Sequence, residues 1–173
     1  MKLSDILLKD FRKVFFLALS LTLMIGCDLG TKQIAYNHLK DQPIKSYLGG
    51  TLNFLFTEND GGMLSFGSQL HDDIKLLIFR LFVTIILIIM FLYIVMKKDI
   101  DKFRYLSFSL ILGGGIGNLL ERFFNDGKVT DFIVIEIMGV HSGIFNFADM
   151  FITFGVILLI LSSIIAQYKY SKK

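Results

Sequence analysis

Four apolar stretches, near Val14 to Ala35, Leu76 to Met96, Leu106 to Leu120 and Phe147 to Ala166, leave this chain few folds to adopt. Most approach the ~20 residues a helix needs to cross the hydrocarbon core of a bilayer, where only helices and closed barrels satisfy every backbone polar group. With 54% hydrophobic and 19% charged residues over 173 positions, the chain has too little polar surface to wrap an aqueous core. The expectation is a single α-helical integral membrane domain over residues 1–173, with four transmembrane helices at about 14–35, 76–96, 106–122 and 147–166. Residues 36–75 and 123–146 form its outer loops. The third span is short and glycine-rich, so a buried or tilted helix is the other reading for it.

The net charge of +3 does not point to nucleic acid, because the basic residues fall in loop clusters rather than along one face. Lys2, Lys9, Arg12 and Lys13 precede the first span, Lys97, Lys98, Lys102 and Arg104 separate the second from the third, and Lys169, Lys172 and Lys173 end the chain. The positive-inside rule then puts both termini in the cytoplasm. Tyr93, Tyr105, Tyr168 and Tyr170 fall at the inner interface and Tyr36 at the outer one, as an aromatic belt requires.

On the outer side, alternating Leu52, Phe54 and Phe56 precede the turn-forming Asn59-Asp60-Gly61-Gly62, which predicts a hairpin. Val129 to Ile137 alternates as a strand does. A small extracytoplasmic β platform is therefore expected beside the helices. The loop from Leu52 to Phe66 is greasy enough to close over a lipid as a lid.

Cys27 is the only cysteine, so there is no disulfide framework. The basic flank at Arg12 and Lys13 and the run into Met24-Ile25-Gly26-Cys27 imitate a lipoprotein signal, yet the helix pattern continues past Cys27 into Asp28 and Lys32. Cys27 is expected to pack as a small hydrophobe. His38, His71 and His141 are scattered without a metal-ligand spacing, and no metal or cofactor is expected.

The polar residues carry the function. Asp131 and Asp149 each lie beside a long apolar segment, where an unpartnered acid is costly to keep. In the expected topology, Asp28, Lys32, Asn118, Arg122, Asn146 and Asp149 all reach the outer leaflet, and Asn59 and Asp131 join them from the outer loops. Asp28 and Lys32 stand one helical turn apart, acid first, and can pair. Taken alone, that pair is an ion pair at a helix end. Arg122, one turn after Asn118, can snorkel or hold a phosphate or carbonyl. The glycines of Gly113-Gly114-Gly115-Ile116-Gly117 fit close helix packing better than a phosphate loop. Asn146 can cap the fourth helix, with Asp149 in its first turn. If the fold brings Asp131 and Asp149 together, they form a carboxylate pair able to share one proton and activate water.

Five segments, in order, resemble the motifs of the lipoprotein signal peptidase (signal peptidase II) family. They are Asp28-Leu29-Gly30-Thr31-Lys32, Asn59-Asp60-Gly61, the stretch Gly113 to Arg122, Val129-Thr130-Asp131-Phe132-Ile133 and Phe145-Asn146-Phe147-Ala148-Asp149. The resemblance implies a membrane aspartic endopeptidase of the bacterial cytoplasmic membrane, with Asp131 and Asp149 as its catalytic pair. It further implies supporting roles for Asp28, Lys32, Asn59, Asn118, Arg122 and Asn146, and cleavage of lipid-modified prolipoproteins before the lipidated cysteine. Membrane lipids are then partners and nucleic acid is not. The chain departs from the family at Glu121, where aspartate is usual, at Gly62-Met63-Leu64, and at Gly143, where a proline is common nearby. Glu121 is expected to support a nearby cation. The competing readings are an inactive relative that binds lipopeptides or acts as a scaffold, and a small proton-coupled carrier, for which the broken helices and inverted repeats of carriers are not visible.

Overall fold

The computed structural model describes residues 3–62, 66–97 and 99–172, with side chains from Phe11 to Tyr168 apart from the gaps, and that of Lys172. Met63, Leu64, Lys2, Lys98 and Lys173, and the side chains of Lys9, Lys169 and Tyr170, lie outside the described residues. Among the described residues are four long helices: α1 (Leu3–Leu39), α2 (Asp72–Met96), α3 (Lys102–Phe124) and α4 (Phe147–Ser171). Within α2 the segment Leu76–Phe82 winds as a π-helix, a departure that hydrophobic periodicity did not announce.

Among the described residues, Phe11–Leu39, Asp72–Met96 and Phe147–Tyr168 are long and apolar enough to cross a membrane. Their apolar side chains face outward, including Ile85 and Ile89 of α2 and Phe154, Ile157 and Ile164 of α4. Such exposure suits lipid as the solvent. The third expected span is a helix of 23 residues, roughly 35 Å at the usual rise, which length and composition alone do not place with those three. Ser107, Ser109, Leu112 and Gly113, Gly114, Gly115 and Gly117 are buried on it. Its buried residues face other helices.

α3 is the central element, and its glycines set how near the others come. A Cβ on Gly113 would meet Met24 of α1 at 2.7 Å, one on Gly115 would meet Leu87 of α2 at 2.6 Å, and one on Gly117 would meet Asp28 of α1 at 2.7 Å. One on Gly114 would run into the Ala148 carbonyl of α4. Close helix packing is thus the role of this run. At the opposite end of the bundle from the sheet, Asp101 caps α3 through Phe103 N (2.9 Å), and Lys13 Nζ donates to the last carbonyls of α2, Val95 (3.0 Å) and Lys97 (2.8 Å).

The expected platform is a four-stranded antiparallel sheet in the order β1 (Lys45–Tyr47), β2 (Leu52–Asn59), β3 (Val129–Ile137), β4 (Val140–His141). A register shift between Phe54 and Thr57 sets Thr57 opposite Asp131. The alternation of β3 does not translate into one wet face: Val129 to Val134 are all buried. Phe132 and Ile133 pack with Ala35 and Leu39 of α1, and Phe54, Phe56, Phe145 and Phe147 complete that cluster. The lid reading changes accordingly, because Leu52–Asn59 is a strand paired on both edges rather than a loop. α1 runs unbroken through Cys27, whose thiol is exposed instead of packed.

Candidate active site

Asn146 begins the site by beginning a helix. Its Oδ1 accepts from Asp149 N (2.9 Å), and Asp149 Oδ2 accepts in return from Asn146 N (3.2 Å), a capping box closed by an aspartate at its third position. With Oδ1 committed to a fixed N–H, the other end of the amide must donate. It does so to Asp131 Oδ1 at 2.6 Å and to the Thr130 carbonyl at 3.3 Å. Asn146 is fully buried and is the residue that joins the two aspartates.

Asn59 is oriented by the same logic. Its Oδ1 accepts from Gly61 N (2.9 Å) in an Asx turn, so Nδ2 donates to the Gly62 carbonyl (3.0 Å) and to Asp131 Oδ2 (2.9 Å). On the other carboxylate, Asn118 Nδ2 donates to Asp149 Oδ1 (2.9 Å). Each of the four carboxylate oxygens therefore receives one N–H. Burial pushes the Asp131 carboxyl up to about 6, with the Asn59 hydrogen bond opposing the rise and the nearby Asp149 charge adding to it.

Behind the pair lies a buried ion cluster. Lys32 Nζ is 2.8 Å from Asp28 Oδ2, 3.0 Å from Glu121 Oε2 and 2.7 Å from Asn118 Oδ1. Asp28 uses its other oxygen to accept from Ala148 N (2.9 Å), satisfying a second free amide at the start of α4. Glu121 uses its other oxygen for Thr130 N (3.0 Å), one residue before Asp131. The expected Asp28 and Lys32 pair is present, and Glu121 supports a cation as expected.

Arg122 holds carbonyls, one of the partners the sequence reading allowed it, whereas Asn118 differs from that reading in what it holds. Arg122 donates to the Gly127 carbonyl (2.7 Å) and the Gly61 carbonyl, with its guanidinium 5.2 Å from the Phe79 ring centre. It ties the two loops next to the pair to each other. Asn118 has both ends of its amide used inside the protein. All eight sequence-chosen residues converge, while Thr130, Ala148, Gly61 and Phe79 were missed. Three of those four act here through backbone atoms, which leave no side-chain pattern to find; Phe79 lay inside an apolar run. Among the described residues, no group of three His, Cys, Asp or Glu side chains could hold a metal ion.

A helical bundle of this kind with a small sheet at one end defines a multi-pass membrane protein, and its solved likenesses are enzymes. Two structures described as bacterial membrane enzymes align with TM-scores of 0.78 and 0.72 at 28% and 29% identity, covering 92% and 86% of this chain and 93% and 92% of theirs. The family model for signal peptidase (SPase) II matches residues 20–165, and the chain belongs to that family. Curated relatives called lipoprotein signal peptidase include one from Francisella tularensis subsp. novicida (strain U112), 34% identical over 94% of this chain and 98% of its own length. One from Caldicellulosiruptor bescii is 40% identical over 75% of this chain and 77% of its own.

Proposed function

We propose that this chain is an intramembrane aspartic endopeptidase that removes signal peptides from lipid-modified bacterial prolipoproteins, cutting before the diacylglyceryl cysteine. The observation that carries this is the link through Asn146, which hydrogen-bonds to Asp131 with its side chain and to Asp149 with its main chain. One carboxylate takes a proton from a water held between the two as that water attacks the scissile carbonyl, while the other, protonated, donates to the carbonyl oxygen. The tetrahedral intermediate then collapses, the amine leaving with a proton. No covalent intermediate or cofactor enters these steps. Because close carboxyls titrate together, the resting proton belongs to the pair.

Asp28, Lys32, Asn59, Asn118, Arg122 and Asn146 act as supporting residues that hold and charge the pair. α3 crosses the bilayer as the fourth spanning helix, shielded from lipid by its neighbours on the glycine side. The basic clusters orient both termini to the cytoplasm and the carboxylates toward the outer leaflet, the depth at which an acylated signal peptide offers its cleavage point. Reporter fusions at Lys98 and Lys173 test that orientation, and an external signal at either site overturns it.

The direct test is incubation of the purified protein with a lipid-modified preprotein. Cleavage ahead of the modified cysteine, lost in Asp131→Asn and Asp149→Asn, supports the peptidase. Binding without cleavage identifies an inactive relative instead.

A further inference from the structure

A cavity of about 340 Å³ lies beside Arg122, and neither Asp131 nor Asp149 lines it. Arg80, Gly127 and Lys128 form part of its wall, with Asp72, Asp73 and Asp126 among its acidic residues. Arg80 is out of place by composition, being a half-buried cation inside the apolar π-helical segment of α2. Its guanidinium presses on Gly127, where an added Cβ would come within 2.5 Å of it. Arg122 holds the carbonyl of that same Gly127, so two guanidiniums flank one glycine.

The other cations of the cavity are answered by the protein: Lys75 pairs with Asp60 at 2.7 Å and Lys128 with Glu58 at 3.0 Å. Among the described residues, the Arg80 guanidinium has no hydrogen-bond or ion-pair partner. A cation in an apolar helix with no answering group calls for an anion from outside the protein. It stands eight residues into α2, about 12 Å along the helix, a depth from which a long side chain snorkels to the headgroup layer. Beside it Leu76, Leu77 and Leu81 are 43%, 58% and 48% exposed, an apolar wall for acyl chains.

We propose that this cavity binds the headgroup of a membrane phospholipid, with Arg80 taking the phosphate. The acids at the cavity suit an ammonium, which makes a phosphoethanolamine headgroup the best match in charge. Asp72 and Asp73 are exposed at 95% and 93% and reach the solvent side, where the ammonium of such a lipid would sit. The site is separate from the proposed cleavage chemistry, and its test does not read cleavage.

Delipidated protein in detergent is titrated with phosphatidylethanolamine, phosphatidylglycerol or inorganic phosphate and followed by native mass spectrometry. The expected result is one tightly held phosphatidylethanolamine per chain. Arg80→Gln weakens it about tenfold or more, the size of a lost charge-assisted hydrogen bond, and Arg80→Lys weakens it less. Asp126→Asn reduces the preference for phosphatidylethanolamine over phosphatidylglycerol. Circular dichroism and detergent melting confirm that each variant is folded; should Arg80→Gln fail this check, Arg80→Met replaces it with the same expectation. Retention of the lipid at parental affinity in folded Arg80→Gln, or in Arg80→Met where that replaces it, overturns the proposal. Displacement of the lipid by equimolar inorganic phosphate makes it a free-anion site and also overturns it, as does Arg80-dependent binding of a soluble peptide in place of lipid.

Discussion

Lys32 decides which end of the Asn118 amide faces Asp149. An ammonium can only donate, so the 2.7 Å contact from Lys32 Nζ fixes Asn118 Oδ1 on its side and turns Nδ2 toward the carboxylate 2.9 Å away. A buried charge thus sets the polarity of a hydrogen bond one residue further on.

Removing that charge should strand two acids. Lys32→Met leaves Asp28 and Glu121 in the interior without their cation, and a broken buried ion cluster costs about 3–5 kcal/mol. Detergent melting should show a large drop in Lys32→Met. Melting should recover in the triple variant Asp28→Asn, Lys32→Met, Glu121→Gln, in which the uncompensated charges are gone. A single variant as stable as the parent would show that the cluster carries no net load.

Asp131→Asn and Asp149→Asn should each lose cleavage of a lipid-modified preprotein by orders of magnitude, as acid and base partners acting as a unit do. Single-turnover assays on folded protein check this. Cleavage near the parental rate by either variant would exclude the aspartic mechanism.

The raised carboxyl of Asp131, at about 6 against an ordinary 3.8, ties stability to pH. The folded state binds the extra proton between those values, so the contribution is fully present below about 3.8 and is lost as pH rises through about 6. Melting of the parent should decline over that window. Asp131→Asn should remove this part of the slope; an unchanged slope would assign the pH dependence to other groups.

Glu121 spans two contacts, Lys32 at 3.0 Å and Thr130 N at 3.0 Å. Glu121→Asp should keep the charge beside Lys32 and most activity. Glu121→Gln keeps an acceptor for Thr130 but turns an amide NH2 toward the ammonium, and a moderate loss of activity and of melting temperature is expected. If Glu121→Gln inactivated the protein as fully as a change at Asp131, its role would be chemical rather than supporting.

Much of this architecture was legible because lipid imposes simple rules. The helices, the sheet and the meeting of Asp28, Lys32, Asn59, Asn118, Arg122, Asp131, Asn146 and Asp149 follow from apolar length, loop charge and the position of unusual polar residues. α3 shows the limit, since apolar counting detects residues that face lipid and misses Ser107, Ser109 and the glycines that face other helices. The capping of Ala148 N by Asp28 was equally hidden, because a main-chain amide has no letter of its own. For Arg122 a carbonyl was among the expected partners, but which carbonyls stayed hidden for a related reason: those of Gly61 and Gly127 are brought near only by the fold.

The glycines of α3 leave that helix little room for silent drift on its inner side. Gly113, Gly114, Gly115 and Gly117 each touch a different residue, and these residues belong to all three other helices. A methyl group added at Gly117 would push on the acid that holds Lys32, and one added at Gly114 would push on the first turn of the helix bearing Asp149. Here steric tolerance and electrostatic order are the same constraint, so variation should collect on the lipid-facing surfaces of α2 and α4 and be sparse along this ridge.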